Sequence, residues 1–380
     1  MRMLLRPGCL LVVVLGLQGI ACEAAEDRAA ELFRKWDRNN DGKLTRRELP
    51  AGARRNFSRV DRDGNGFISL SEHSAFLKRG QRRRPVKLPV GVRLVADQDY
   101  VGDRNPRHRL DLLLPEKPVG GKPLPVVAYV HGGGWRGGDK SSGLRRLSGL
   151  VATGRYVGVS IGYRLTGEAG WPAQIHDCKA AIRWLKAHAK KFRFDPDRIA
   201  VFGSSAGGHL VAMLGVGGGV EDLQGRLGPH REFDSRVAAV VDFFGPTDFL
   251  KMNDQPGKID HNAARSPESL LVGGAIQEHV DRCRHASPLT YVDSRDAPFL
   301  IVHGDRDEVV IFPQSQLLQA ALKKAAVPVA LVTVRGGGHG VGGRAVEARV
   351  RAFLEFHLYG RGSLPGDQVI ARKASRRRSR

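Results

Sequence analysis

Residues 201–210 read VFGSSAGGHL, two adjacent serines set among glycines. The pattern G-x-S-x-G asks for glycine two positions before and two after a serine. Ser205 meets it with Gly203 and Gly207, whereas Ser204 would have Phe202 and Ala206. The apolar run Ile199–Phe202 precedes this stretch and HLVAML follows it, so the serine falls between a strand and a helix. In so sharp a turn neighbouring side chains would collide. Glycines relieve the crowding and leave the serine oxygen exposed at the tip. Ser205 is therefore the candidate nucleophile.

A nucleophile of this kind needs a base, an acid and donors for negative charge. Apolar runs of strand length recur at Leu110–Leu114, Val126–Val130, Val157–Ile161, Ile199–Phe202, Ala238–Phe243, Pro298–Val302 and Val329–Val334. Helical patterns alternate with them, clearest over 172–192, 315–326 and 345–358. The alternation predicts a mostly parallel sheet covered on both faces, from about Val90 onward. Chemistry in such sheets sits at the carboxyl ends of strands.

Two further motifs occupy those ends. HGGGW (131–135) follows the second run, and bare glycine backbone there can turn N–H groups toward developing negative charge. The expected oxyanion donors are the amides of Gly133 and Gly134, with Ala206 behind the nucleophile. His131 is expected to brace this loop. HGDRDEVV (303–310) offers two acids, and Asp307 is preferred over Asp305 because it lies further along the loop; Asp248 in FFGPTDF is a third choice. Of thirteen histidines only His339 and His357 follow Asp307, and His339 sits in the glycine-rich loop RGGGHG. The expected triad is Ser205, His339 and Asp307.

Four motifs, HGGGW, GSSAGGHL, DFFGPTDF and HGDRDEVV, together with WPAQIHDCKAAIRWLKAHAKKFRFDPDRIAVFG (171–203), make residues 90–362 resemble an α/β-hydrolase carboxylesterase. The resemblance is to the hormone-sensitive-lipase-like esterases and to the bacterial bifunctional feruloyl and acetyl-xylan esterases. It implies the α/β-hydrolase fold and hydrolysis of short acyl esters, with acetyl or feruloyl groups on polysaccharide as the substrate class. One departure stands out: these families have V-V-P after the acid, whereas here Ile311 and Phe312 come between Val310 and Pro313. Trp135, Tyr163 and Trp171 are placed to border the pocket or to pack in the core. Segments 216–236 and 251–285 are irregular and placed to cap the cleft.

A second module precedes this one, over 25–80. DRNNDGKLTRRE (37–48) and DRDGNGFISLSE (61–72) each fit the EF-hand loop D-x-[DN]-x-[DN]-G-x5-E. The oxygen ligands expected for Ca2+ are Asp37, Asn39, Asp41, the Lys43 carbonyl and Glu48 in the first loop, with a water on the Thr45 side. In the second they are Asp61, Asp63, Asn65, the Phe67 carbonyl and Glu72, with Ser69. Hard oxygen donors suit calcium in a structural role, and no catalytic cofactor is expected. The loops start only 24 residues apart, at Asp37 and Asp61, so a single helix could serve both.

The chain has 380 residues, with 61 Lys and Arg against 39 Asp and Glu, a formal net charge of +22. Much of the excess sits in KRGQRRR (78–84) and ARKASRRRSR (371–380), read as a basic linker (81–89) and a disordered basic tail (363–380) suited to acidic polysaccharide or a cell surface. No nucleic-acid partner is expected. The first 24 residues pair Arg2 and Arg6 with an apolar run too short to span a bilayer, and read as a signal peptide. A secreted or periplasmic enzyme is expected, and Cys22 after Ala21 raises a lipoprotein reading. Four cysteines exclude a multi-bridge disulfide framework and leave room for one bridge involving Cys178, Cys283 or Cys22. Two other functions fit part of the sequence: a calcium-dependent adhesion protein with an inert hydrolase domain, and a serine peptidase of the same fold.

Overall fold

The computed structural model describes residues 29–54, 56–81 and 86–371. The signal-peptide reading, Cys22, linker residues 82–85 and tail residues 372–380 lie outside the described residues. The chain divides into two units, one ending at Pro85 and the other starting at Val86.

The larger unit is built on a nine-stranded sheet. Its strands are β1 (Val92–Asp99), β2 (Arg109–Pro115), β3 (Leu124–Val130), β4 (Val157–Ile161), β5 (Phe194–Ser204), β6 (Ala239–Phe243), β7 (Phe299–Gly304), β8 (Val329–Arg335) and β9 (Gln368–Ala371). The spatial order is β9-β8-β7-β6-β5-β3-β4-β2-β1. All neighbours run parallel except at β2, which is antiparallel to both β1 and β4. This is the α/β-hydrolase fold. Alternate residues of one strand feed opposite cores, as the period of two requires. Val126, Ala128 and Val130 join the core under helices α2 (Ala173–Phe192), α3 (Ala206–Val216) and α6 (Pro313–Lys324). Val127 and Tyr129 join the core under α1 (Ser141–Val151) and α7 (Arg344–Tyr359). Two short helices, α4 (Pro267–Val272) and α5 (Val280–Ala286), lie in the segment between β6 and β7.

Two expected boundaries need correction. The tail reading began at 363, but β9 lies inside it and pairs in parallel with β8 from Val332↔Gln368 to Arg335↔Ala371. Asp367 anchors the strand by accepting from the Leu331 amide at 2.8 Å and from Gln319 and Lys323 of α6. The linker reading ran to 89, yet Val86 and Leu88 are partly buried against the α1/α7 core. Cys178 and Cys283 are separate buried thiols, so neither bridges the other.

The turn from β5 into α3 is very tight. Ser205 has φ 57° and ψ −125°, a conformation that L residues avoid. Surrounding backbone imposes it: the Ser205 amide donates to the Phe243 carbonyl at 2.9 Å, and the Ser205 carbonyl accepts from the His209 amide at 2.9 Å. The flanking glycines are required by space. A Cβ on Gly203 would lie 2.1 Å from the Gly207 carbonyl oxygen, and one on Gly207 would lie 2.2 Å from that of Val130.

In the smaller unit, 29–36 is helical and the two loops pair as an antiparallel ribbon, Lys43↔Ser69 and Leu44↔Ile68. Phe33, Leu44, Leu49, Val60 and Ile68 form its buried core. Between the loops stand two separate helical turns, Ala51–Arg54 and Phe57–Val60, in place of the single shared helix that the short spacing raised. The exit helix runs Leu70–Gln81.

Because the obstacles at Gly207 are main-chain atoms, side-chain repacking cannot relieve a substitution there. Gly207→Ala is expected to lower unfolding free energy by about 1–3 kcal/mol or more. Urea denaturation of the purified chain measures it, and an unchanged midpoint would contradict this reading of the turn.

Candidate active site

β5, β7 and β8 deliver their following loops to one edge of the sheet. Ser205 stands after β5, Asp307 after β7 and His339 after β8. His339 Nε2 lies 3.0 Å from Ser205 Oγ, and its Nδ1 lies 2.8 Å from Asp307 Oδ2. The Asp307 side chain is fully buried, while that of His339 is 23% exposed, which leaves the imidazole reachable from the cleft. Burial alone would push the Asp307 carboxyl up. Hydrogen bonds from His303 and His339, with the Val309 amide, outweigh that and hold it well below the usual carboxylate range. The carboxylate therefore stays ionised beside the imidazole.

The other candidates are engaged elsewhere. Asp305 accepts from the Gly336 amide at 2.5 Å, and Asp248 caps a short turn by accepting from the Leu250 amide at 3.1 Å. His357 is half-buried on α7 against Phe353, where burial pushes its pKa down to about 4. His131 stacks on Tyr163 with centroids 4.2 Å apart, and the Tyr163 hydroxyl donates to the His131 carbonyl at 2.8 Å. Tyr163 is thus a core residue bracing the glycine loop. Pro313 begins α6, so the two extra residues before it complete the acid loop.

Gly133, Gly134, Ser205, Ala206 and His339 line one cleft of about 410 Å³. Among the described residues, neither the Gly133 nor the Gly134 amide donates to a protein acceptor. The Ala206 amide opens α3, where helical N–H groups have no partner within the helix. Of the two segments expected to cap the cleft, 251–285 supplies wall residues Ile259, His261, Pro267 and Glu268, and 216–236 supplies none.

Sequence reasoning left His303, Phe244 and His209 without a role, whereas Trp135, expected at the pocket border or in the core, is buried and lines the cleft. His303, in the same HGD stretch as the acid, is buried with Nε2 3.1 Å from Asp307 Oδ2 and 2.9 Å from the Val310 carbonyl. A carbonyl only accepts, so this nitrogen carries a proton and steadies the carboxylate from behind. Phe244 packs on the His339 ring, centroids 4.6 Å apart. Trp135 donates from Nε1 to His209 Nδ1 at 3.2 Å, and His209 Nε2 donates to the Ala286 carbonyl at 2.6 Å. The tryptophan of HGGGW and the histidine of GGHL therefore tie the glycine loop to α3 and α5. Trp171 borders a different pocket, beside His285. Only the side-by-side presence of a histidine in each motif hinted at these links.

In the smaller unit, ligand oxygens of Asp61, Asp63 and Glu72 lie within 4.8 Å of one another. Asp61 Oδ1 is buried with no hydrogen-bond partner, a costly state for a carboxylate that a bound cation would relieve. The Asn65 side-chain oxygen accepts from the Phe67 amide at 2.8 Å, and Glu72 accepts from the Arg62 amide at 2.7 Å. These residues fit a hard cation. In the first loop Asp37 accepts from the Gly42 amide at 2.9 Å and Asp41 from the Lys43 amide at 2.8 Å. Asn39 bonds Asp41 at 2.9 Å, and Glu48 accepts from the Thr45 amide at 2.8 Å.

Comparison with known proteins agrees with this division. A family model described as BD-FAE matches residues 110–322, and an EF-hand model matches 29–50 and 55–77. Esterase LipC of Mycobacterium tuberculosis is 36% identical over 221 residues, 58% of this chain and 53% of its own. The chain spans about half the length of the curated relatives it matches. Among solved structures, a truncated carbohydrate esterase from gut microbiota is 32% identical with a TM-score of 0.67, over 72% of this chain and 99% of that one. A bifunctional GH43-CE protein of Bacteroides eggerthii is 32% identical with a TM-score of 0.64, over 70% of this chain and 38% of its own. With a matched segment that runs from β2 into α6, the chain belongs to the BD-FAE family of α/β-hydrolases and carries EF-hand repeats ahead of that domain.

Proposed function

We propose that the protein is an exported serine esterase that hydrolyses short acyl esters, acetyl or feruloyl groups on polysaccharide being the substrate class. The observation that carries the reading is the unbroken chain from Ser205 Oγ through His339 to Asp307, at 3.0 Å and 2.8 Å, beside unpaired glycine amides. Ser205 Oγ attacks the ester carbonyl carbon while His339 Nε2 takes its proton. The carbonyl oxygen becomes an oxyanion that the Gly133, Gly134 and Ala206 amides receive. The intermediate collapses to an acyl-serine, and the imidazolium gives its proton to the leaving alcohol. Water then attacks the acyl-serine with His339 again as base, releasing the carboxylic acid and restoring the hydroxyl. Asp307 holds the ring in the required tautomer and stabilises its charged form.

An alcohol on a sugar is supported by the likeness to a carbohydrate esterase and by family membership. An inert adhesion domain would have no use for the strained Ser205 conformation, which costs stability. Export rests on the apolar N-terminal run. Calcium is the cation we assign to the loops, with Asp61, Asp63, Asn65, the Phe67 carbonyl and Glu72 in the second. Asp37, Asn39, Asp41, the Lys43 carbonyl and Glu48 serve in the first. Its role is structural. The basic residues after 371 suit contact with acidic polysaccharide.

Wild-type enzyme is expected to turn over a chromogenic acetate ester, and Ser205→Ala to lose roughly 10⁴- to 10⁶-fold in kcat. Asp307→Asn should lose roughly 10⁴-fold by favouring the wrong imidazole tautomer. Because Asp307 titrates well below the usual range, the acid limb of kcat/KM contains no step from it. Comparable rates for wild type and Ser205→Ala would refute the mechanism.

Calcium should raise the melting temperature of the N-terminal unit and leave ester turnover unchanged. Glu72→Gln should weaken calcium binding by roughly tenfold or more through loss of a charged ligand. Calorimetry with calcium and with chelator reads both effects. Loss of turnover on chelation without unfolding would contradict a purely structural role.

A further inference from the structure

The triad carboxylate is held by two peptide groups, and both are gripped from behind by the same segment. Asp307 Oδ1 accepts from the Val309 amide at 2.8 Å and from the Val310 amide at 3.1 Å. The peptide that carries the Val309 N–H presents the Glu308 carbonyl on its other side, and this accepts from the Lys258 amide at 2.6 Å. The peptide that carries the Val310 N–H presents the Val309 carbonyl, and this accepts from His261 Nε2 at 3.0 Å. Hydrogen bonding at a carbonyl polarises its peptide and strengthens the N–H on the opposite side.

His261 is itself fixed. Its Nδ1 lies 2.8 Å from Glu268 Oε2, and both side chains are buried in the cleft wall, 4% and 3% exposed. The His261 amide donates to Asn253 Oδ1 at 3.0 Å, and Asn253 Nδ2 donates to Asp260 Oδ1 at 2.8 Å. A carbonyl can only accept, so Nε2 carries a proton, and the carboxylate at Nδ1 calls for a second. The ring is then a cation between two acceptors. Burial alone would push its pKa down, but Glu268, with the Val309 carbonyl and Asp260, outweighs that and raises it. Lys258 and Glu308, whose backbones meet behind the acid loop, also pair through their side chains, and that ion pair is solvent-exposed.

We propose that His261 and Glu268 form a positioning pair for the triad, acting through the Val309–Val310 peptide to hold and polarise the donor that fixes Asp307. The pair sits on the segment between β6 and β7, so this wall does more than shape the cleft. The inference rests on the serine-esterase reading. A plain wall residue would alter substrate binding. A positioning residue alters the chemical step and the pH profile of turnover, because a displaced carboxylate stabilises the imidazolium less.

The test uses the full chain with a chromogenic acetate ester. Glu268→Gln and His261→Ala should each lower kcat roughly 10- to 100-fold with KM changed less than about threefold. In both, the acid limb of kcat/KM should move to lower pH. His261→Gln, which keeps one N–H donor, should recover part of the loss. Circular dichroism melting identifies any variant that fails to fold; if His261→Ala does, Glu268→Gln decides. A raised KM with kcat and acid limb unchanged, or no change in any of them, would overturn the proposal. Absence of turnover in the wild type would instead bring down the esterase reading beneath it.

Discussion

A backbone that could not relax shapes the whole site. Ser205 is held at φ 57° because its amide is committed to the Phe243 carbonyl and its carbonyl to the His209 amide. Gly203 and Gly207 approach each other and β3 so closely that no side chain fits at either. The strain is balanced by the packing of α3, whose apolar residues are buried throughout. The return for that strain is position: a hydroxyl at the strand tip, one hydrogen bond from His339 and beside the first free amide of a helix.

From that point the neighbouring loops read as successive layers of support. His303 and the acid-loop amides grip Asp307, and Asp307 grips His339. Phe244, which follows the Phe243 carbonyl that accepts the Ser205 amide at the end of β6, packs on the His339 ring. Trp135 and His209 link the glycine loop to the helix behind the nucleophile. Most of these contacts join residues far apart in the chain, which is why the site needs the sheet as a rigid frame.

Much of this was legible in the sequence, for physical reasons that also explain the omissions. Strands buried on both faces carry unbroken apolar runs, and all seven of those runs became strands. β1 escaped notice because it is an edge strand with half of its residues polar and half of its positions exposed, and β9 because it is an edge strand of only four residues, three of them exposed, tied to β8 through the Leu331–Asp367 hydrogen bond. α1 mixes Gly, Ser and Arg among its apolar positions, so its pattern stayed below notice. The choice of Asp307 over Asp305 followed from reach along the loop, and the Gly336 amide now accounts for Asp305. His261 and Glu268 could not be read as a pair with the acid loop, since the partner carbonyl at Val309 lies 48 residues further on.

The claim that a serine activated by His339 performs the chemistry is tested most directly by covalent labelling. Intact-protein mass spectrometry after treatment with an aryl phosphonate ester should show one adduct, mapped by proteolysis to Ser205. The same treatment of His339→Ala should leave the protein unlabelled. An adduct on Ser204, or equal labelling with and without His339, would contradict the account.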